Sequence, residues 1–345
     1  MKRISFNIGS KVIGKDNCLI QTMADKKTSN IKYNVNLTNS LEIMSLDMMR
    51  FSILDKEDAD AIKKIKSQIN IPIIADIHFD YHLALLSLDS GVDKIRINPG
   101  NINSTSGLRE IINICKKKSI PIRIGCNSGS IEKFKGKTNS IIDDYFLAMD
   151  ETLEIFKEEN FNFLVLSLKS SNPDLTEKLY IKAYDKYPYP LHIGVTESGY
   201  STLGAIKSTW GLINILKKGI GDTIRVSLAS ERVEEIRACK ELLRLSNRRI
   251  NTPELIVCPT CGRTKVDVKP ISRIIQEKLD YVNKNIKIAV MGCPVNGIGE
   301  GKDADYGITG LGVENKYLIF SKGKVLGQYN IEESIKELFQ LIDSF

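Results

Sequence analysis

The sequence between residues 71 and 127 reads IPIIADIHFDYHLALLSLDSGVDKIRINPGNINSTSGLREIINICKKKSIPIRIGCN. Three short apolar runs in it are bounded by turn residues, and each has the length of a buried strand. The two segments between them carry Leu and Ile at spacings of three and four, which is typical of helices that pack one face on a core. Strand and helix alternate here, an order that predicts a parallel sheet.

The same alternation continues on both sides of this stretch. Eight strands are predicted at 19–23, 46–53, 71–77, 94–97, 120–125, 163–168, 190–195 and 223–228. Helices are predicted at 56–69, 82–90, 108–118, 175–187, 203–218 and 233–245. Eight such units predict a (β/α)8 TIM barrel. A doubly wound open sheet is the alternative, but no GxGxxG follows the first strand.

The alternation stops at NRRINTP, residues 247–253, and we place the domain boundary there. The barrel domain is predicted over 1–247 and a second domain over 248–345. The remainder predicts the strands ELIV and IKIAVMG, a Gly-rich loop, the hairpin KYLIFSKGKVLGQYN and the helices ISRIIQEKLDYV and IEESIKELFQLIDSF. These elements indicate a small α+β domain.

Composition limits the partners and the compartment. The chain has 345 residues and a formal net charge of +7, and its lysines are scattered, so we expect no nucleic-acid partner. No apolar run reaches the length of a membrane span or of a signal-peptide core, so we expect no membrane partner. Seven cysteines in a chain this large favour metal or catalytic use over disulfides, so we expect a cytoplasmic protein.

Cationic side chains recur within or just after the predicted barrel strands. They are Arg50, Arg96, Arg123, Lys169 and Arg225. A single such residue is most often a salt-bridge partner or has its charge at the surface. Five in equivalent places require an anion, because barrel interiors are normally filled by branched apolar residues. Arginine suits phosphate, and Asn98, Asn127 and Ser227 add neutral hydrogen bonds, so we predict a diphosphate-bearing substrate.

Two further polar residues at strand ends leave both a structural and a functional interpretation open. His78 follows Asp76 and precedes a helix, so it is either a satisfied structural histidine or a substrate contact. Glu197 ends the seventh predicted strand among cations. It is either a counter-ion or an acid–base group whose pKa the site adjusts.

The strongest local motif is Cys258-Pro-Thr-Cys261, followed by Cys293 in GCPVNGIGE. A CxxC pair alone also fits zinc and redox sites. A closed zinc site needs a fourth Cys or His, but no Cys follows Cys293 and no His follows His192. Three thiolates and one weaker ligand suit a [4Fe–4S] cluster with one reactive iron, and Glu300 is the nearest candidate. We expect Cys18, Cys115, Cys126 and Cys239 to be buried bystanders.

Six motifs, in order along nearly the whole chain, resemble one family. They are ADIHFD (75–80), RINPGN (96–101), PIRIGCN (121–127), GDTIRVSLA (221–229), CPTCGRT (258–264) and GCPVNGIGE (292–300). They resemble the 4-hydroxy-3-methylbut-2-enyl diphosphate synthase family, iron–sulfur enzymes of the non-mevalonate isoprenoid pathway. The length is similar to the short bacterial form. The sequence departs from the family pattern at Cys126, Ile298 and Leu311, in the segment SLDMM before Arg50, which lacks the usual glycine, and in the N-terminal loop ADKKTSN.

The resemblance implies a reaction and its partners. The substrate would be 2-C-methyl-D-erythritol 2,4-cyclodiphosphate, whose ring is opened and whose hydroxyl is removed with two electrons from flavodoxin or ferredoxin. The protein would be a homodimer in which the cluster domain of one subunit caps the barrel of the other. The [4Fe–4S] ligands would be Cys258, Cys261, Cys293 and Glu300. Substrate contacts would be Arg50, His78, Arg96, Asn98, Arg123, Asn127, Lys169, Arg225 and Ser227, with Glu197 and Glu300 catalytic.

Two other functions use the same residues differently. The first is a non-redox TIM-barrel transferase acting on a phosphorylated or pterin substrate, with a structural zinc domain. The second is a non-catalytic electron carrier or binding protein. Metal and sulfide analysis separates the transferase from the synthase, and failure to convert the cyclodiphosphate despite an intact cluster separates the carrier from the synthase.

Overall fold

The computed structural model describes residues 3–98, 104–129, 131–313 and 315–345, and within these every side chain except those of 296–298. Pro99, Gly100 and Asn101 of the RINPGN motif and the side chain of Ile298 lie outside the described residues. The chain divides into two units, Met1–Arg249 and Ile250–Phe345. None of the described helices is both long enough and apolar enough to cross a bilayer.

The described residues of the first unit form ten strands, of which eight make one parallel sheet. The strands are β1 (Phe6–Ile8), β2 (Lys11–Ile13), β3 (Leu19–Met23), β4 (Met48–Ile53), β5 (Ile73–Ile77), β6 (Lys94–Ile97), β7 (Ile122–Cys126), β8 (Leu164–Leu168), β9 (His192–Ile193) and β10 (Thr223–Ile224). The sheet order is β8-β7-β6-β5-β4-β3-β10-β9. The Leu166 amide donates to the Pro190 carbonyl at 2.9 Å, and this contact joins β8 to β9. The sheet therefore closes, and the predicted TIM barrel is confirmed.

In the described part of this unit, eight α-helices follow the barrel strands. They are α1 (Ile31–Ile43), α2 (Lys56–Lys66), α3 (Tyr81–Asp89), α4 (Thr105–Lys118), α5 (Ile141–Glu158), α6 (Pro173–Lys186), α7 (Ser201–Lys217) and α8 (Arg232–Leu245). Short polar side chains start several of them; the Asp55 carboxylate, for example, accepts from the Asp58 amide at the start of α2. Such caps satisfy amides that have no partner within the helix.

The last two barrel strands are shorter than the sequence predicts. The predictions of 190–195 and 223–228 were too long, because β9 and β10 hold two residues each. After β9 the chain continues into Gly194, where an added Cβ atom would lie only 2.5 Å from Lys169 Nζ. Beyond these short strands the two apolar runs continue along the barrel as largely buried chain, without regular strand pairing.

The hairpin of β1 and β2 covers the amino-terminal end of the barrel. Phe6, Ile8 and Ile13 are buried in a cluster with four residues from the beginnings of barrel strands. Those four are Leu19, Met48, Ile74 and Val165. The sequence did not predict this hairpin, since strands of three residues carry no distinct period. Apolar groups of the hairpin and of these strands therefore fill this end of the barrel.

The second unit is the predicted small α+β domain. Its elements are β11 (Glu254–Val257), α9 (Val268–Leu279), β12 (Lys287–Met291), α10 (Pro294–Gly299), β13 (Tyr306–Gly310), β14 (Tyr317–Ser321), β15 (Lys324–Tyr329) and α11 (Ile331–Ser344). The strands follow the order β11-β12-β13-β14-β15; the first three are parallel and the last pairs antiparallel. The predicted Gly-rich loop after β12 contains α10. Apolar side chains of α9 and α11 cover the sheet.

The apolar hairpin yields a stability prediction. Ile8 is fully buried, so we expect Ile8→Ala to lower the free energy of unfolding by about 2 to 4 kcal/mol. Chemical denaturation measures this difference. Asn7→Ala is the matched control, because Asn7 lies on the same strand with its side chain exposed, and we expect a change within about 0.5 kcal/mol. Equal effects would show that the hairpin does not anchor the barrel.

Candidate active site

A small polar cavity of about 100 Å³ lies at the carboxyl ends of the barrel strands. Its lining consists mainly of cationic and hydroxyl side chains: Arg50, Arg96, Arg123, Gly125, Cys126, Asn127, Ser167, Lys169, Thr196, Arg225 and Ser227. Side chains two apart on a strand face the same side of a sheet. This is why Arg123, Gly125 and Asn127 all face the cavity. All five predicted cations are brought together here.

Asp76 on β5 is the counter-ion of two of these cations. Its side chain is buried, and its oxygens lie 2.9 Å from Arg96 Nη1 and 3.6 Å from Arg50 Nε. Burial alone would raise the pKa of Asp76, but the charges of Arg50, His78 and Arg96 more than offset it and hold the pKa well below its usual range. Asp76 therefore stays ionised.

Arg225 forms the second ion pair of the site. Its guanidinium lies 3.3 Å from the buried carboxylate of Glu235 on α8. Burial raises the pKa of Glu235, but the charge and hydrogen bond of Arg225 outweigh burial, so the pKa lies below its ordinary value. Glu235 also remains charged.

Arg123 and Lys169 make no ion pair with any described residue. The Arg123 guanidinium is buried; its one described hydrogen bond goes to Ser167 Oγ at 3.3 Å, and Nε and Nη1 have no described partner. Burial and then the neighbouring cations hold the pKa of both side chains well below their usual range. The cavity lining holds five cationic side chains, and the two carboxylates that pair with them, Asp76 and Glu235, lie behind it, so basic groups outnumber acidic ones at this site. Such a site suits a doubly charged anion.

The structure places the remaining predicted site residues at different depths. His78 is partly exposed, and its Nε2 lies 2.9 Å from Arg96 Nη1. Asn98 is buried in the wall of a neighbouring cavity. Glu197 is exposed, with a left-handed φ of 51°, and follows Thr196, which lines the cavity.

Several residues of the site were not selected from the sequence. Gly125, Ser167 and Thr196 line the cavity, and the two counter-ions, Asp76 and Glu235, pair with its cations from outside the lining. Ser167 lies two residues before Lys169, and Thr196 lies two residues after Gly194. The alternation of side chains along a strand could therefore have identified both as cavity residues. Glu235 lies on a helix, and no strand pattern points to it.

The second unit brings the thiol motifs to one edge of its sheet. β11 and β12 are parallel, with Val257 opposite Val290, and Cys258 and Cys293 follow the carboxyl ends of these strands. The Cys258 amide donates to the Val290 carbonyl at 2.9 Å, and the Lys265 amide donates to the Gly292 carbonyl at 2.7 Å. These bonds hold the CPTCGRT loop beside the segment that carries Cys293.

Arg263 interacts with three of the four predicted cluster ligands. Hydrogen bonds from its backbone and guanidinium lower the pKa of the exposed Cys261 thiol. In turn Cys261, Cys293 and Glu300 raise the pKa of Arg263. The described residues contain no group of three or more His, Cys, Asp or Glu placed around one metal ion. A cluster with four irons does not require one, since each iron takes its own protein ligand. Two thiols and a carboxylate around one cation, with the Cys258 thiol on the same loop as Cys261, fit that donor set.

The four other cysteines are buried in the barrel unit, as expected. Burial raises the pKa of Cys115 and Cys126 to about 12, so these thiols stay protonated. Cys126 also lines the cavity, beside Asn127. No cysteine of the described chain forms a disulfide.

These features define a two-domain enzyme class: a barrel with an anion site, followed by a domain with thiols at one sheet edge. Family models described as the GcpE TIM-barrel domain and the GcpE protein C-terminal domain match residues 4–240 and 254–344. The chain belongs to this family.

Related proteins are similar to this chain in sequence over almost its whole length. A relative from Clostridium perfringens is 42% identical over 98% of this chain and 97% of its own. One from Ruminiclostridium cellulolyticum is 43% identical over 97% and 95%. Both are named 4-hydroxy-3-methylbut-2-en-1-yl diphosphate synthase (flavodoxin).

Solved structures resemble the chain in fold alone. Yersinia pestis dihydropteroate synthase has a TM-score of 0.53 at 10% identity, over 70% of this chain and 97% of that one. Clostridium difficile type I 3-dehydroquinate dehydratase has a TM-score of 0.50 at 13% identity, over 72% and 98%. At these identities the likeness to dihydropteroate synthase is no support for a pterin substrate.

The unpaired cations yield a prediction that separates binding from stability. We expect Arg123→Met to weaken binding of inorganic pyrophosphate by about tenfold or more, because a buried charged hydrogen-bond donor is lost. We expect the same change to raise the unfolding free energy of the ligand-free protein by about 1 kcal/mol or more, because a buried uncompensated charge is removed.

Calorimetry measures the affinity and thermal denaturation measures the stability. Arg273→Met is the control, because Arg273 is an exposed arginine on α9, and neither quantity should change. A variant that binds pyrophosphate normally would contradict the assignment of Arg123 to the anion site.

Proposed function

We propose that this chain catalyses the reaction for which its relatives are named. 2-C-methyl-D-erythritol 2,4-cyclodiphosphate takes up two electrons, its ring opens, one hydroxyl leaves as water after protonation, and 4-hydroxy-3-methylbut-2-enyl diphosphate forms. The observation that carries the proposal is the excess of basic over acidic side chains at the cavity of a chain whose full-length relatives bear this name. The transferase alternative is not favoured, because the full-length relatives are named as the synthase.

In this proposal the barrel residues bind and orient the diphosphate. Arg123 and Lys169 take phosphate oxygens because they have no described counter-ion of their own. The other contacts are Arg50, His78, Arg96, Asn98, Asn127, Arg225 and Ser227. Glu197, next to the cavity residue Thr196, is proposed to hold or transfer a proton near the carbon skeleton.

The family depends on iron–sulfur chemistry, and we propose the cluster type and ligands for this chain. A [4Fe–4S] cluster held by Cys258, Cys261, Cys293 and Glu300 supplies electrons singly and offers one iron as a Lewis acid when bound. The hydrogen bonds from Arg263 favour the thiolate form of Cys261, which is the form that binds iron. Flavodoxin is the proposed electron donor, with ferredoxin as the alternative, and the cytoplasm is the proposed compartment.

One preparation tests the activity and the cofactor together. We expect anaerobically purified protein to be brown, to hold about four iron and four sulfide per chain, and to convert the cyclodiphosphate with a reductant. Cys293→Ser should lose the cluster and turnover, and Glu300→Ala should keep most of the cluster and lose most turnover.

Cys115→Ala is the matched control, because Cys115 is buried in the barrel unit, and it should retain both cluster and turnover. Zinc without sulfide would favour the transferase. An intact cluster with no loss of the cyclodiphosphate would favour the electron carrier.

The proposed homodimer is supported by an exposed apolar face on the barrel unit. Leu203, Ile206 and Trp210 lie along one side of α7, and Tyr200 precedes it; all four are more than half exposed. Contiguous apolar surface of this kind usually marks an interface. We place the second copy of this chain there.

We therefore expect Ile206→Glu to shift the protein from dimer to monomer at micromolar concentration, because an apolar contact is replaced by a buried charge. Analytical ultracentrifugation measures the shift. Ile43→Glu is the control: Ile43 is 63% exposed and Ile206 61%, but Ile43 lies on α1, away from this face. A parent chain that sediments as a monomer, or an Ile206→Glu variant that remains dimeric, would contradict this interface.

A further inference from the structure

Glu235 of α8 collects an unusual number of donors on one buried carboxylate. Its Oε2 accepts from Thr22 Oγ1 at 2.5 Å and from Arg225 Nε at 3.3 Å. Its Oε1 accepts from Arg225 Nη2 at 3.3 Å, from the Leu228 amide at 3.1 Å and from Arg232 Nη1 at 2.5 Å. Only 1% of the residue is exposed, so these donors replace water around the charge.

The donors come from both sides of the pairing between the first and the last barrel strand. Thr22 belongs to β3, the first barrel strand, and Arg225 directly follows β10, the last; the two strands are paired. Leu228 belongs to the loop after β10. A single carboxylate on α8 therefore joins the first strand, the end of the last strand and the loop that follows it.

This arrangement fixes the direction of the Arg225 side chain. Nε and Nη2 are both directed to Glu235, while Nη1 lies 3.7 Å from Met23 Sδ. Without the carboxylate, a long arginine side chain would regain several rotamers. It would also be repelled by Arg50, whose pKa is lowered to about 10, first by burial and then in part by Arg225.

The same carboxylate holds the chain next to another cavity residue. The Leu228 amide donates to Glu235, and Leu228 directly follows Ser227. On its other side, the Ser227 carbonyl accepts from Ser198 Oγ at 2.8 Å. Glu235 thus touches two segments of the cavity wall but is not itself part of the lining.

We propose that Glu235 is a positioning residue for the diphosphate site, acting through Arg225 and the Ser227–Leu228 segment. This inference rests on the proposed function only in naming the diphosphate as the ligand. For the strength of anion binding, a positioning role predicts a change opposite in sign to the change that electrostatics alone predicts. Removing a negative charge beside a cationic site should strengthen anion binding, whereas loss of a positioning group should weaken it.

Glu235→Gln distinguishes these two effects because the side chain keeps its size and loses its charge. In the full chain we expect the Kd for inorganic pyrophosphate and for the cyclodiphosphate to rise about tenfold or more. We expect KM to rise by more than kcat falls, with the iron and sulfide content unchanged. Glu234→Gln is the matched control, since Glu234 precedes it on the same helix, pairs with Arg237 near the surface, and should leave both Kd values unchanged.

A double-mutant cycle shows whether Glu235 acts through Arg225. If it does, Glu235→Gln should weaken pyrophosphate binding much less in an Arg225→Lys background than in the parent. Equal losses in both backgrounds, or unchanged or tighter binding by Glu235→Gln alone, would overturn the proposal. Should Glu235→Gln fail to fold, Glu235→Asp keeps the charge but moves it by one methylene, and unchanged binding by that variant would overturn it equally.

The binding measurements keep this inference separate from the proposed function. A parent chain that binds pyrophosphate but does not convert the cyclodiphosphate would contradict the proposed function, while the variants would still test Glu235. A parent chain that binds neither anion would overturn both.

Discussion

The structure depends on an excess of positive charge held inside a barrel. Taking a guanidinium or ammonium group out of water costs several kcal/mol, and an apolar interior offers no compensation. Asp76 and Glu235 compensate Arg50, Arg96 and Arg225 in part. Arg123 and Lys169 are left without described counter-ions, which supports the proposal that an anionic ligand completes the site.

The architecture separates stability from binding along the barrel axis. The β1–β2 hairpin packs with Leu19, Met48, Ile74 and Val165 of the strands in an apolar cluster at one end, and the cationic cavity lies toward the other. The residue after the short strand β9 belongs to the same arrangement: Gly194 has no side chain and so leaves room for the Lys169 amine. In the second unit, too, functional side chains follow the carboxyl ends of parallel strands. The ends of β11 and β12 bring Cys258 and Cys293 to one edge of the sheet.

Strand–helix alternation made the barrel and the α+β domain predictable, because buried parallel strands appear in sequence as apolar runs. The predictions were weakest where tertiary contacts override local pattern. The hairpin strands are three residues long and owe their place to Phe6, Ile8 and Ile13 packing on the barrel. The runs at 190–195 and 223–228 are buried as predicted, but only two residues of each form ladder.

The sequence by itself determined which residue types meet at the strand ends, because the period of two and the common direction of parallel strands bring Arg50, Arg96, Arg123, Lys169 and Arg225 together. Only the tertiary structure decided how these charges are balanced. Asp76 lies on a neighbouring strand, and Glu235 reaches the site from a helix, so no spacing along the chain reveals which cation each one meets. The balance depends on three-dimensional distance and burial, and these set the energy of a charge inside a protein.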